Sequence, residues 1–204
     1  MAEAKAWPPG RIKIADALRV LLEKKDFGAI TTAEIAKTAG VTEALIYKYF
    51  KDKRDLLYQL LSEYLEHYDV QVERDLKGIK GALNKLRKLI WSHINVYATD
   101  RVFAKILLMD VRSFSDYYTS ETYKLVKKYT EILLEIIQEG VENQEIRNDI
   151  PPVFLRQAIL GSIENVCLTR VVFGRKISPD DLTEKLCKFV FKGIEQKAVN
   201  HSTT

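Results

Sequence analysis

The chain has 204 residues, enough to bury a substantial core in one or two small domains. Apolar residues make up 47% and charged residues 29%, with only 9 Gly and 5 Pro, so the composition is that of an ordinary globular protein and argues against a loop-rich sandwich. The net charge is +4: residues 1–54 carry 11 Lys/Arg against 7 Asp/Glu, and residues 55–204 carry 21 of each, so the whole excess sits in the first quarter, where it suits contact with phosphates.

Almost every segment has the helical apolar period. Ile12, Ala15, Leu18, Leu21 and Leu22 form a stripe that ends near Gly28. Thr32 is the expected cap of a short helix through Ala39, stopped by Gly40. Thr42 caps the next, which runs to about Tyr49. Asp52 starts a long helix with Leu56, Leu57, Leu60, Leu61, Tyr64 and Leu65 on one side, and Gly78 and Gly81 break the chain. Leu83 to Tyr97 gives another helix, and Asp100 to Met109 a shorter one. Ser113 to Thr119 is polar and aromatic and bends. Ser120-Glu121 opens a helix carrying Leu125, Tyr129, Leu133, Ile136 and Ile137, and residues 143–149 form a loop. Pro151-Pro152 starts a very apolar helix to Phe173, ended by Gly174. Ser178-Pro179 starts the last, with Leu182, Leu186, Phe189, Val190 and Ile194. The tail from His201 to Thr204 is expected to fray. No alternating strand pattern and no internal repeat occur, so the fold class is all-α with about nine helices.

No apolar run approaches the roughly 18 residues of a membrane span, and Met1 to Trp7 has no signal-peptide apolar segment. A cytoplasmic chain without membrane contact is expected, and the two cysteines, Cys167 and Cys187, make no CxxC pair or disulfide framework. His67, His93 and His201 are far apart and show no metal spacing. No Gly-rich phosphate loop or nucleophile elbow is present, so neither an enzyme nor a cofactor is expected.

The segment Thr31 to Lys53, TTAEIAKTAGVTEALIYKYFKDK, places two short helices around Ala39-Gly40-Val41. Ala36 stands four residues before Gly40, where closely crossing helices need a small side chain, and Gly40 supplies a left-handed turn residue. Ile35, Val41 and Ile46 take core positions. The second helix exposes Glu43, Ala44, Tyr47 and Lys48 and is short enough for a major groove.

With its aromatic residues at the end of the second helix followed by Lys53 and Leu56-Leu57, the stretch over residues 11–60 resembles the TetR family of transcriptional regulators. The resemblance implies a homodimeric repressor whose N-terminal domain, residues 1–54, binds double-stranded palindromic operator DNA. Residues 55–204 would form a ligand-binding and dimerisation domain. Thr31 and Thr32 match the start of the helix that meets a phosphate. Tyr47, Tyr49 and Lys53 match phosphate-binding positions. Thr42, Glu43, Ala44 and Lys48 match positions facing bases or phosphates, where Glu43 suits a cytosine amine and Ala44 a thymine methyl. Tyr49 stands where many relatives have His or Phe.

The Pro151–Phe173 helix is apolar on several faces and, with the last helix, resembles the family's dimerising pair. Aromatic and polar residues mix along the middle helices. Trp91, Asn95, Met109, Arg112, Phe114, Tyr129 and Asn165 are the candidate lining of a cavity for a small apolar effector. Arg112, among apolar neighbours, needs a partner: either Asp110 or Glu164, or an anionic ligand group. Residues 108–121, with Arg156 and residues 161–164, look similar to the fatty-acyl-CoA-responsive FadR branch, which makes fatty-acyl-CoA the candidate effector. The competing reading is a helical protein-interaction module that binds no DNA.

Overall fold

The computed structural model describes residues 7–195, so the expected fraying at His201 to Thr204 lies outside the described residues. Among the described residues nine α-helices follow one another: α1 (Pro9–Leu22), α2 (Thr32–Ala39), α3 (Glu43–Tyr49), α4 (Lys53–Leu76), α5 (Ala82–Thr99), α6 (Arg101–Lys105), α7 (Glu121–Glu142), α8 (Pro152–Phe173) and α9 (Pro179–Ile194).

The first three helices fold around Ile14, Leu18, Ile35, Ile46 and Phe50, all nearly sealed from solvent. The apolar stripe of α1 is rotated from the one the sequence suggests. Ile14, Ala15 and Leu18 face inward while Ile12 is exposed, because α2 and α3 pack on the Ile14 side. α4 starts at Asp52, whose carboxylate accepts from the Asp55 amide at 2.8 Å, and it runs from this head into the body.

In the body α5 packs against α7 and α9, and α4 against α7. α5 has a glycine, Gly81, at its N-cap. Its orphan amides are instead met by Glu145 from the distant 143–149 loop, which accepts from Ala82 and Leu83 at 3.1 and 3.3 Å. Gly140 lets that loop close on α7: a Cβ there would stand 2.6 Å from Ile146 and 2.8 Å from Ala82.

One helix differs from the sequence expectation. The helix expected from Asp100 to Met109 is α-helical only to Lys105. Ile106–Asp110 then widens into a π-helical turn, followed by 3₁₀ turns at Val111–Ser113 and Tyr117–Thr119. The apolar helix α8 divides its faces. Leu155, Ile159, Ile163, Cys167 and Val171 face the core, whereas Phe154 and Phe173 are 60% and 69% exposed. Phe189 on α9 is 74% exposed among the described residues.

Candidate nucleic-acid interface and ligand cavity

The head is set by caps. Thr31, rather than the expected Thr32, caps α2: its hydroxyl accepts from the Glu34 amide at 3.2 Å, and the Glu34 carboxylate accepts from the Thr31 amide at 3.1 Å. Thr32 thereby becomes the first helical residue, and its hydroxyl is turned across the motif. It donates to the Glu43 carboxylate at 2.9 Å, and the Tyr47 hydroxyl donates to it at 3.5 Å. Gly40 adopts φ 64° and ψ 38°, and the Val41 amide donates to the Ala36 carbonyl at 3.0 Å, closing the turn.

α3 presents Glu43, Ala44, Tyr47 and Lys48 to solvent, with Thr42 just before it, while Ile46 and Phe50 anchor it from beneath. Tyr49 is half-buried, edge-on to Phe50 at 6.4 Å. Lys53 reaches back to the carbonyls of Phe27 and Ile30, at 2.8 and 2.5 Å, and lies over the Phe27 ring. Burial lowers its pKa. An ammonium has three donors, so one is left after these two bonds.

In the body, α4, α5, α7 and α8 enclose a narrow cavity of about 70 Å³. Leu65, Leu107, Val126 and Leu160 give it apolar walls. Its polar floor is a short chain of rings: the Tyr129 hydroxyl lies 2.8 Å from His93 Nδ1, and the Tyr97 hydroxyl 2.9 Å from His93 Nε2. Burial pushes the His93 pKa down to about 4 and raises both tyrosines well above the usual range. Arg112 closes one side with a two-pronged ion pair, Nη1 and Nη2 standing 2.9 and 2.6 Å from the Glu164 carboxylate. Those bonds hold its pKa above the ordinary arginine value.

The wall of this cavity is joined to the head through a few residues. Two positions after Arg112, Phe114 packs on Phe27 and on Tyr58, with ring centroids 5.9 and 6.3 Å apart, and the Arg54 guanidinium lies 4.5 Å above its ring. Asp116 then accepts from Arg54 at 3.1 Å and from Tyr58 at 3.0 Å, and Lys105 pairs with Asp26. Asp26, Phe27 and Arg54 flank the helix-turn-helix unit.

Two family models match the chain. "Bacterial regulatory proteins, tetR family" covers residues 14–60, and "Tetracyclin repressor-like, C-terminal domain" covers residues 80–194. The chain belongs to the TetR family. It is a DNA-binding transcriptional regulator. Among TetR-family relatives, the fatty acid metabolism regulator protein of Bacillus subtilis (strain 168) is 28% identical over 189 residues, 93% of this chain and 97% of that protein. The structure of the transcriptional regulator FadR from Bacillus subtilis in complex with stearoyl-CoA superposes with a TM-score of 0.81 at 28% identity, covering 90% of this chain and 99% of that one. The fatty acid degradation regulator FadR from Bacillus halodurans shares the fold, with a TM-score of 0.83 at 23% identity over 95% of this chain and 100% of that one. The likeness to FadR-type regulators therefore runs nearly end to end.

For this TetR-family chain, the candidate ligand residues read from sequence divide. Arg112 and Tyr129 line the cavity. Trp91 and Asn95 face a separate groove of about 430 Å³ between α4 and α5, because α5 turns that side away from α7; Trp91 Nε1 also donates to Asp180 at 2.7 Å. Met109 is exposed on the π-helical turn, Asn165 is exposed on α8, and Phe114 belongs to the joint with the head. His93, Tyr68 and Glu164 take their places in the wall. The four-residue spacing of His93 and Tyr97 on α5 was the signal available for the polar floor.

Proposed function

We propose that the chain is a cytoplasmic repressor that binds a palindromic operator as a homodimer and is released by a long-chain fatty-acyl-CoA. Residues 1–54 act as the DNA-binding head and residues 55–204 as the body, with α4 shared between them, since that division falls inside its first turn. Thr31 and Thr32 meet one phosphate, and Tyr47, Tyr49 and the remaining donor of Lys53 meet others. Thr42, Glu43, Ala44 and Lys48 face the groove. The exposed apolar side chains Phe154, Phe173 and Phe189 supply the dimer face.

The observation that carries the release mechanism is the closeness of wall and joint. Arg112 lines the cavity, while Phe114 and Asp116, two and four residues on, hold the head. A cavity of about 70 Å³ is well under the roughly 300 Å³ of an ordinary ligand pocket. A long acyl chain enters only by parting the walls, and the wall nearest the head is the irregular 106–119 segment. Binding energy spent on that parting favours the arrangement in which the head has moved. The FadR structure with stearoyl-CoA supports the choice of ligand class. The alternative, an interaction module that binds no DNA, is not favoured, because the DNA-binding family model covers the whole helix-turn-helix. Calorimetry with stearoyl-CoA and with coenzyme A alone tests the ligand class. Binding heat from the thioester only is expected; no heat from it ends this reading.

A further inference from the structure

The polar floor of the cavity carries hydroxyl hydrogens that its hydrogen bonds do not use. Tyr129, His93 and Tyr97 are linked by two hydrogen bonds, and the Tyr68 hydroxyl, buried beside Tyr129 with ring centroids 5.3 Å apart, has no partner among the described residues. A neutral imidazole donates from one nitrogen and accepts at the other. One of Tyr97 and Tyr129 therefore donates to His93, and the other accepts from it and keeps its own hydrogen. Were the imidazole protonated, both tyrosines would keep theirs. Were Tyr68 and Tyr129 to turn toward each other, so that one donates to the other, one hydroxyl hydrogen of the four groups would still lack an acceptor. The one carboxylate in the wall, Glu164, is turned to Arg112. With Tyr68 unbonded, two hydroxyl hydrogens are thus left over in a largely apolar space, and a turn of Tyr68 and Tyr129 toward each other still leaves one. A buried donor without a partner costs stability unless something accepts from it.

We infer that the cavity selects ligands bearing a carbonyl oxygen on an apolar chain, received by the hydroxyl of Tyr68 together with the spare hydroxyl of the Tyr129–His93–Tyr97 chain. Tyr68 is well placed for this, since it borders both the cavity and the groove between α4 and α5. Val96 is the other residue that borders both. The oxygen comes either from a thioester or from a ketone farther along the chain; both present the same acceptor. A saturated hydrocarbon of equal length leaves at least one hydrogen unsatisfied and is rejected. Sites built to bond one substrate oxygen discriminate strongly against the analogue lacking it. The inference deepens the acyl-ligand reading and rests on it only for the acyl probes.

The test uses two matched pairs on the full chain. Lauroyl-CoA is compared by calorimetry with S-dodecyl-CoA, a thioether without the carbonyl oxygen, and 2-dodecanone is compared by thermal shift with 1-dodecene. The carbonyl member of each pair should bind at least roughly tenfold more tightly or give the larger shift. Tyr68→Phe and Tyr129→Phe, which keep the ring, should shrink that preference several-fold. Equal binding of lauroyl-CoA and its thioether by the unmodified protein overturns the inference and leaves the acyl-CoA reading intact. Failure of both CoA compounds, with 2-dodecanone still preferred over dodecene, overturns the acyl-CoA reading and leaves the inference standing. A preference undiminished in both tyrosine variants, or no response to any of the four probes, overturns it.

Discussion

The two polar clusters of this protein are built from the same kinds of group and behave oppositely. On the head, Thr32, Glu43 and Tyr47 bond to one another at the surface, where water competes for every donor. In the body, Tyr68, Tyr129, His93 and Tyr97 meet where burial shuts out bulk water. Hydroxyls at a surface can exchange one another for phosphate oxygens at little cost. Hydroxyls in a core define one arrangement and penalise every other. Substitutions in the first cluster should therefore change DNA affinity and spare stability, and substitutions in the second should do the reverse.

The largest effect is expected where the surface is apolar rather than polar. Phe189→Glu places a charge on the proposed dimer face, at a cost of several kcal/mol if the face is covered. Light scattering should find a folded monomer with operator affinity lost. A persistent dimer places the interface elsewhere.

Next comes the acid response of the buried cluster. The His93 pKa is about 4 in the folded protein, against about 6.5 for an exposed histidine. Above pH 6.5 neither state binds the proton and its contribution is constant. Below it the unfolded chain takes up a proton that the folded one refuses. Stability should thus fall as pH drops from about 6.5 to about 4, by on the order of 3 kcal/mol in all. His93→Gln should remove that part of the slope in urea melts across this range, and an unchanged slope would show that His93 is not buried neutral.

Gly40→Val should cost about 1–2 kcal/mol through the left-handed backbone alone, since a Cβ there meets nothing within 4 Å. Dimerisation should survive and operator binding should not; retained affinity would mean that the turn tolerates the strain. Lys53→Ala sharpens the comparison because Lys53 belongs to both regimes. It should lower the melting temperature by releasing the Phe27 and Ile30 carbonyls, and it should reduce the slope of log affinity against log salt by about one. A slope left as it was would confine Lys53 to the structural role.

The smallest expected change in stability is at Arg112. Its pair with Glu164 is partly open, with side chains 42% and 29% exposed, and such pairs contribute at most about 1 kcal/mol. Arg112→Ala should leave operator affinity unaltered and raise the acyl-CoA concentration needed for release. An identical release curve would leave Arg112 as a clasp between the 106–119 segment and α8.

The head was legible from sequence because its geometry is local. Ala36, Gly40 and Ile46 lie within eleven residues of one another, and each has a steric reason to be what it is. Within the two helices of the motif only the cap was misplaced, by one residue, since Thr31 and Thr32 are chemically alike and the Glu34 partner decides between them. The helices of the body were legible by their period, but the cavity was not. Its wall takes residues from α4, α5, α7 and α8, and His93 and Asn95, two residues or about 200° apart around α5, look to opposite sides of that helix, so the rotation of α5 decides which of them faces inward. The π-helical turn at Ile106–Asp110 likewise displaces Met109 and Phe114 from where an unbroken helix would set them. The capping of α5 by Glu145, from sixty residues away, leaves no local trace at all.

The central claim is that an apolar ligand in the body releases the head from DNA. It is tested most directly by fluorescence anisotropy of a labelled palindromic duplex, selected by this protein from a random pool, titrated with stearoyl-CoA and with coenzyme A. Stearoyl-CoA should lower operator affinity at least tenfold, a coupling of about 1.4 kcal/mol, while coenzyme A alone should leave it unchanged. Operator binding that is the same with saturating stearoyl-CoA as without it would contradict the account.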